Sequence, residues 1–207
     1  MTIRYPNGKV YKPSGEVPKV LKTNKKEKNL SFSNRGKTLE DEINETNLFY
    51  LNHQIAVIHK KPVPIQIVKV EYPKRSAAVI REAYFRTAST TDYNGVWNGY
   101  YLDFEAKETE SKTSFPLKNV HSHQIKHMED VIKQQGIAFM IVRFSKLDRY
   151  FILPFQILFD AWNKMEKGGA KSIPLKVFEL SSVEVSPGFN PRIDFLSAIE
   201  KLIANKE

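Results

Sequence analysis

The amino-acid sequence predicts one α/β domain whose mixed β-sheet is covered by helices on both faces. Helical and strand patterns alternate after residue 32, in the order helix, strands, helix, strands, helices. Residues 137–144 are almost entirely apolar, which is typical of a central strand buried on both faces. The 207 residues are enough for a single domain of this kind.

The first element is predicted to be a helix that begins after Thr38 and ends near Asn52. The Thr38 side chain can cap this helix, because Asp41 follows three residues later in a capping-box pattern. Its buried face is predicted to carry Leu39, Ile43, Asn47, Leu48 and Leu51. Two short strands are predicted to follow, over residues 55–59 and 64–71.

Residues 74–86 fit a short helix as well as a strand. Three prolines, Pro62, Pro64 and Pro73, lie within the basic residues 60–86, and we expect this segment to project from the fold as a stalk rather than pack into it. Its two tyrosines, Tyr72 and Tyr84, are expected to anchor the stalk by burial. The alternative is that they stack on unpaired bases.

The C-terminal half is predicted to alternate between helix and strand. Residues 124–135 form a helix that Gly136 ends, because glycine is the usual residue after a helix C-terminus. The apolar strand 137–144 follows, and a second strand is predicted over residues 150–153. Two or three helices complete the chain, the last over about residues 194–204.

Composition excludes several classes of protein. The longest apolar runs fall short of the roughly 20 residues that a membrane span needs. Residues 1–30 carry basic side chains but lack the apolar core of a secretory signal, so we expect a cytoplasmic protein with no membrane partner. The chain has no cysteine, which excludes disulfide scaffolds and cysteine-ligated zinc or iron–sulfur sites.

The formal net charge of +9 is unevenly distributed along the chain. Residues 1–37 carry a net charge of +8 and residues 59–86 one of +5, so the rest of the chain is acidic. We therefore predict a disordered basic tail over residues 1–32 and a single folded domain over residues 33–207. Clustered lysines and arginines favour a nucleic-acid partner, because binding to phosphates releases counterions. A tail that serves only solubility is the alternative.

The clearest local feature is a β-hairpin whose strands are residues 91–97 and 100–108. The Asn98-Gly99 dipeptide between them is typical of a type I′ turn. Side chains alternate between faces along a strand, so six consecutive side chains of the second strand fall into two sets of three, one on each face. One face carries Asp103, Glu105 and Lys107, and the other carries Leu102, Phe104 and Ala106.

Polar residues on one face of this hairpin predict metal-assisted phosphodiester hydrolysis. Asp92 on the first strand can join Glu105 and Lys107 on the second. Carboxylate oxygens suit a hard cation such as Mg²⁺, which polarises a phosphate and activates a bound water, while a lysine neutralises developing charge. The pattern Glu-x-Lys is weak by itself, since Glu110 and Lys112 repeat it in a polar segment. An ion pair on a half-exposed strand is the alternative for Glu105 and Lys107.

Longer motifs throughout the chain extend this interpretation. In chain order they are Ser33-Asn-Arg-Gly36, Asn44-Glu-Thr-Asn47, Ile55-Ala-Val-Ile-His-Lys-Lys61, Tyr72-Pro-Lys-Arg-Ser-Ala-Ala-Val-Ile80, Ser89-Thr-Thr-Asp-Tyr-Asn-Gly95, Asp103-Phe-Glu-Ala-Lys-Glu-Thr109, Thr113-Ser-Phe-Pro-Leu117, His123-Gln124 and Pro191-Arg-Ile-Asp194. With these motifs the chain resembles the RecU-type Holliday junction resolvases of Gram-positive bacteria, which have the PD-(D/E)xK, restriction-endonuclease-like fold. The resemblance covers most of the chain outside the N-terminal tail and residues 145–190.

The resemblance implies a magnesium-dependent endonuclease that nicks four-way DNA junctions symmetrically during recombination and repair, leaving 5′-phosphate and 3′-hydroxyl ends. By position it makes Asp92 and Glu105 catalytic, metal-binding carboxylates and Lys107 the catalytic residue that stabilises the transition state. Thr90 and Gln124 match further metal-associated positions, and their oxygen atoms suit Mg²⁺, or Mn²⁺ in its place. The implied partners are four-way DNA, a second copy of the chain, and a recombinase or branch-migration protein.

The roles of several other residues stay open. The resemblance places the basic stalk toward the junction centre, and the residues expected to contact phosphates are Arg35, Lys74, Arg75 and Arg81. Glu40 is either a further acidic group of the site or a surface residue in the first turn of its helix. Three histidines, His121, His123 and His127, are expected to face DNA or solvent. A zinc site is disfavoured because no cysteine or H-E-x-x-H pattern accompanies them.

Three functions are compatible with these observations. A homodimeric resolvase would place two metal sites on opposite strands of a two-fold symmetric junction. An architectural or recombinase-modulating protein would use the tail and stalk without cleavage, although converging carboxylates repel phosphates unless a metal lies between them. A sequence-specific nuclease of the same fold would cut linear duplex as fast as branched DNA.

Overall fold

A six-stranded β-sheet forms the centre of the computed structural model, which describes residues 38–74, 77–86 and 89–204. The strands are β1 (Val57–Lys60), β2 (Ile65–Lys74), β3 (Ala77–Phe85), β4 (Tyr93–Trp97), β5 (Tyr100–Thr109), β6 (Ser114–Pro116), β7 (Ile137–Phe144), β8 (Arg149–Pro154), β9 (Ser172–Pro174) and β10 (Val183–Val185). The helices are α1 (Leu39–Asn52), α2 (Ser122–Lys133), α3 (Phe155–Glu166), α4 (Leu175–Ser181) and α5 (Phe195–Ala204). The predicted basic tail, with Arg35, and the stalk residue Arg75 lie outside the described residues.

The central sheet has the spatial order β1–β4–β5–β7–β8–β10. Strands β5 and β7 are parallel, and the other neighbours in this sheet pair antiparallel. Strand β7 occupies an inner position over the predicted range 137–144. The predicted α/β fold with a mixed central sheet is therefore confirmed, and it is consistent with the restriction-endonuclease-like fold.

Helices cover both faces of the sheet, as predicted. One core packs α1 and α5 against alternate sheet residues such as Phe104, Phe139 and Ile152. The other core packs α2, α3 and α4 against the intervening residues, such as Met140 and Leu153. No helix in the described part of the chain is both long and apolar enough to span a lipid bilayer.

Helix α1 begins with the predicted cap. The Thr38 hydroxyl accepts a hydrogen bond from the Asp41 N–H at 3.2 Å, and the Asp41 carboxylate accepts one from the Thr38 N–H at 3.1 Å. The prediction that Leu48 and Leu51 face the core was wrong, because they are 58% and 42% exposed while Tyr50 is buried. The buried stripe follows Leu39, Ile43, Asn47 and Tyr50 instead, which are three or four residues apart.

The hairpin of β4 and β5 forms as predicted. Asn98 and Gly99 both have positive φ, which a type I′ turn requires. After α2, the residue with a left-handed backbone is Gln135 rather than Gly136. A Cβ at Gly136 would lie 2.6 Å from a methyl carbon of Val131, so the need for glycine there comes from close packing against the helix.

Strands β2 and β3 form a separate two-stranded antiparallel ribbon, so the second half of the predicted stalk is a strand and not a helix. Every described residue of β3 is exposed, and apolar side chains such as Ile67 and Phe85 are 49% and 82% exposed. The prediction that Tyr72 and Tyr84 anchor the stalk by burial was wrong, since they are 71% and 59% exposed. A two-stranded ribbon outside the central sheet has no covering layer in the described part of the chain, so its side chains face solvent.

Candidate active site

The polar face of β5 points toward helix α2. Leu102, Phe104 and Ala106 pack into the core beneath α1 and α5. Asp103, Glu105 and Lys107 alternate with them along the strand and therefore take the opposite face. Asp103 and Glu105 are fully buried, and the Lys107 side chain is 21% exposed. The sequence predicted this division of the strand correctly.

Asp92 lies directly across from Glu105. Tyr93 pairs with Phe104 at the end of the antiparallel ladder, and the same register continued by one residue places Asp92, just before β4, opposite Glu105. The Asp92 N–H donates a hydrogen bond to Glu105 Oε2 at 3.2 Å. The Asp92 carbonyl in turn accepts one from the Lys61 N–H at 2.7 Å. Asp92 precedes β4, and these two bonds fix its backbone beside the sheet.

Glu105 has one carboxylate oxygen with an incomplete set of partners. Its Oε1 lies 2.7 Å from Lys107 Nζ in an ion pair. Within the described part of the chain, no group donates a well-formed hydrogen bond to Oε1. A buried carboxylate oxygen is costly unless a cation lies near it, and Lys107 supplies one such positive charge.

Burial raises the pKa of Glu105 to about 8, and the neighbouring Asp92 adds to this effect. The positive charge of Lys107 opposes the increase. Burial without a further cation therefore favours the protonated form of Glu105 more than it does for an exposed glutamate.

Replacement of Glu105 by Gln is expected to stabilise the metal-free protein at alkaline pH. The pKa of Glu105 is higher in the folded protein than in the unfolded chain. The contribution of this group to the free energy of unfolding is therefore fully present at pH values below the unfolded pKa. It is lost as pH rises toward the folded pKa of about 8. We expect Glu105→Gln to raise the free energy of unfolding at pH 8 by about 1–3 kcal/mol and to change it little at pH 4. Urea denaturation in EDTA, with Glu110→Gln as the exposed control, checks this, and an equal difference at both pH values would contradict it.

The buried Asp103 is the centre of a group that we call the Asp103 cluster, formed with the buried Thr91 and with Lys61, Tyr101 and His127, which are partly exposed. Asp103 Oδ2 accepts hydrogen bonds from Lys61 Nζ at 2.8 Å and from the Tyr101 hydroxyl at 2.9 Å. His127 Nε2 lies 3.1 Å from the same oxygen, and the Thr91 hydroxyl donates to Oδ1. Burial alone would raise the pKa of Asp103, but its hydrogen bonds, that of Lys61 foremost, hold this pKa below the ordinary value.

The Asp103 cluster was not predicted from the sequence. Strand alternation placed Asp103 beside Glu105, but nothing local indicates its partners, since Lys61 is 42 residues before it and His127 is 24 residues after it. His127 was expected to face DNA or solvent, and its side chain is 24% exposed while one ring nitrogen contacts the buried Asp103 carboxylate. His121 and His123 stack on each other, with ring centroids 5.5 Å apart.

Thr90 and Gln124 are the further predicted metal-associated residues. Thr90 lies in the segment before β4, and Gln124 lies on α2. The Thr90 hydroxyl donates to the Thr91 carbonyl at 3.2 Å and lines the groove described next. Gln124 is buried in the first turn of α2, where its Oε1 accepts the His121 N–H at 3.0 Å. Gln124 lies one helical turn before His127, on the same side of α2, and so faces β5. Its Oε1 retains a second lone pair.

A groove of about 280 Å³ opens beside Asp92. It is lined by residues of α1, of the end of β1 with the segment that follows, and of the segment before β4. These residues are Glu40, Lys60, Lys61, Pro62, Val63, Pro64, Ser89, Thr90, Thr91 and Asp92. Glu40 forms an ion pair with Lys60 at this groove. Glu40 is therefore near the site, but it is engaged by a lysine.

Two predicted phosphate contacts lie on the ribbon, away from this groove. Lys74 is exposed at the end of β2. Arg81 is exposed on β3 and forms an ion pair with Glu71 across the ribbon, with 2.8 Å between Nε and Oε2. The ribbon thus presents basic side chains beside its exposed apolar ones.

The donors at this site fit a hard divalent cation. Asp92, just before β4, and Glu105 on β5 supply carboxylate oxygens, and the buried Glu105 Oε1 accepts no well-formed hydrogen bond from the described residues. The described residues contain no group of three or more His, Cys, Asp or Glu side chains arranged for a metal. Two carboxylates with neutral oxygens and waters suit Mg²⁺, which keeps several of its waters in proteins.

Comparisons with known proteins agree with this chemistry. The profile of the RecU family, described as recombination protein U, matches residues 34–201. The chain is 58% identical over 203 residues to the Holliday junction resolvase RecU of Lactiplantibacillus plantarum, which covers 98% of this chain and 97% of the relative. It is 55% identical over 200 residues to the protein of that name from Bacillus subtilis, with coverages of 97% and 95%. For Listeria monocytogenes the identity is 52% over 202 residues, with coverages of 98% and 99%.

Proposed function

The chain belongs to the RecU family of recombination proteins, and on this premise we propose that it resolves Holliday junctions at the Asp92–Glu105 site. It is a junction-cleaving endonuclease, a hydrolase that acts on DNA during homologous recombination. The observation that carries the location of the site is the pairing of Asp92 with Glu105, next to Lys107, on one face of the β4–β5 hairpin.

Asp92 and Glu105 are the proposed metal ligands. Glu105 projects from β5 and Asp92 from the segment just before β4, and Glu105 Oε1 accepts no well-formed hydrogen bond in the described part of the chain, which leaves it available to a cation. Thr90 and Gln124 would complete the set, either directly or through water. Mg²⁺, or Mn²⁺ in its place, would polarise the scissile phosphate and lower the pKa of an attacking water.

Lys107 is the proposed catalytic lysine. Its ammonium group lies 2.7 Å from Glu105 and remains partly exposed, so it can face both the metal ligands and the phosphate. A fixed positive charge at this point neutralises charge that develops on the phosphate oxygens, and it costs no reorganisation during the reaction. This is the role that a Glu-x-Lys pair within a buried strand supports.

Substrate selectivity tests the proposed function. We expect the full-length protein with Mg²⁺ to cut a four-way junction at least about a hundredfold faster than a linear duplex of the same sequence, since its two proposed metal sites are related by two-fold symmetry. The measurement is single-turnover cleavage with both DNAs at the same ionic strength. Equal rates on the two DNAs would favour a sequence-specific nuclease instead.

We propose that the working unit is a homodimer that forms through the exposed β2–β3 ribbon. Resolution needs paired nicks, and a two-fold dimer supplies two copies of one site in the required relation. The ribbon exposes the apolar side chains of Ile65, Ile67, Val68, Val79, Ile80 and Phe85, and exposed apolar residues grouped on one element are typical of a protein interface.

Ile67→Asp is therefore expected to weaken the dimer. A charge placed in an apolar interface should raise the dimer dissociation constant by about a hundredfold. Sedimentation velocity over a concentration series measures this, with Leu180→Asp as a control, because Leu180 is 75% exposed on α4. A wild-type monomer at micromolar concentration, or an Ile67→Asp dimer of unchanged affinity, would contradict the proposed interface.

The remaining assignments concern DNA binding and location. We assign phosphate contacts to Arg35, Lys74, Arg75 and Arg81, and expect the basic residues 1–32 to add to the salt dependence of binding. Recombinase and branch-migration proteins are proposed as further partners. The protein is proposed to work in the cytoplasm, where bacterial chromosomal DNA is found.

A further inference from the structure

The Asp103 cluster holds the chain immediately before the proposed ligand Asp92. Thr91 is 3% exposed, and its hydroxyl donates to Asp103 while it accepts a hydrogen bond from Lys61 Nζ at 3.0 Å. Asp103 itself is fully buried and is not among the proposed metal ligands. Burying charged groups costs free energy, so we expect a buried carboxylate that is held by a lysine and a threonine to have a role in the protein.

The same lysine also holds Asp92 from its other side. The Lys61 N–H donates to the Asp92 carbonyl at 2.7 Å, and the Asp92 N–H donates to Glu105 at 3.2 Å. Residues 91 and 92 precede strand β4, so regular strand pairing does not fix them. Hydrogen bonds to β5 or to Lys61 therefore hold the Thr91 side chain and both the N–H and the carbonyl of Asp92.

We infer that Thr91 is a positioning residue which, through Asp103 and Lys61, sets the affinity of the site for its divalent metal. This inference rests on the proposed function. A ligand carboxylate whose backbone is fixed before the metal arrives loses less conformational freedom on binding. Removal of such outer partners typically costs ten- to a hundredfold in metal affinity or activity.

Thr91→Val tests the inference, because valine keeps the shape of threonine and removes the hydroxyl. We expect Mg²⁺ alone to bind the metal-free full-length variant about tenfold more weakly than wild type in calorimetry. The Mg²⁺ concentration for half-maximal junction cleavage should rise by the same factor, while the rate at saturating Mg²⁺ stays within about threefold. Thr91→Ser keeps the hydroxyl and should restore both values.

Tyr150→Phe separates positioning from stability. The Tyr150 hydroxyl donates a buried hydrogen bond to Glu42 at 2.9 Å on the opposite face of the sheet, so its loss destabilises the fold without touching the cluster. We expect this variant to have a lower melting temperature and unchanged Mg²⁺ affinity. If Thr91→Val fails to fold, Tyr101→Phe removes another donor to Asp103 and should weaken Mg²⁺ binding by about threefold.

The outcomes separate this inference from the proposed function. Wild-type Mg²⁺ affinity in a folded Thr91→Val protein, with junction cleavage by wild type intact, would overturn the positioning role alone. A tenfold loss in Tyr150→Phe as well would assign the effect to general stability and also overturn it. Failure of the wild-type protein to cleave junctions would overturn the proposed function, and the inference would fall with it.

Discussion

Replacement of Glu105 by Gln should lower the rate of junction cleavage at least about a thousandfold. Glutamine keeps the size of the side chain and its hydrogen bond from the Asp92 N–H, but it removes the charge that a metal requires. Junction binding without cleavage should stay within about twofold of wild type, because contacts to phosphates dominate affinity and Glu105 is fully buried. Single-turnover cleavage in Mg²⁺ and fluorescence anisotropy in EDTA measure the two quantities.

The matched control for this prediction is Glu110→Gln. Glu110 begins the second Glu-x-Lys sequence of the chain, but its side chain is 80% exposed and pairs with Lys146 on the surface. We expect it to cleave at the wild-type rate. A Glu105→Gln protein that binds metal and cuts normally, or one that loses binding and cleavage equally, would refute the assignment of Glu105 as a metal ligand.

Replacement of Lys107 by Met should lower the cleavage rate by about 10²–10³-fold while Mg²⁺ still binds. Methionine retains an unbranched apolar stem of nearly the length of lysine and removes the ammonium group with its positive charge. Without that charge beside Glu105, the cation should bind at least as tightly as in wild type, since the ammonium group now pairs with the same carboxylate at 2.7 Å. The effect should therefore appear in the rate at saturating Mg²⁺ rather than in the Mg²⁺ requirement.

Lys112→Met provides the corresponding control, because Lys112 lies in the exposed second copy of the sequence pattern. Its cleavage rate should match that of wild type. Recovery of Lys107→Met activity by raised Mg²⁺ concentration would show that the lysine supports metal binding and not the transition state, contrary to its proposed role.

The parts of the fold that the sequence predicted correctly depend on local chemistry. The Asn98-Gly99 turn requires two positive φ values, and the Thr38 cap depends on a side chain three residues away. Alternation along β5 likewise follows from strand geometry, so the residue pattern by itself separates Glu105 from its apolar neighbours. These features need no knowledge of distant residues.

The features that the sequence did not predict depend on packing between distant segments. Asp103 accepts a hydrogen bond from Lys61, which follows β1, and only the tertiary fold brings these two distant residues together. The strand β10 is three residues long and has too short a pattern to recognise. Tyr72 and Tyr84 have aromatic side chains that usually favour burial, but the ribbon offers them no covering layer in the described part of the chain.

The most direct test of the central claim is to map the nicks on a four-way junction with a mobile core, each strand labelled in turn. In Mg²⁺ we expect the wild-type protein to cut two opposing strands of like polarity at symmetric positions, and Glu105→Gln to bind the same junction without cutting it. Binding by the wild-type protein without nicks under any divalent metal would contradict a catalytic site at Asp92 and Glu105, and would favour an architectural role for the protein.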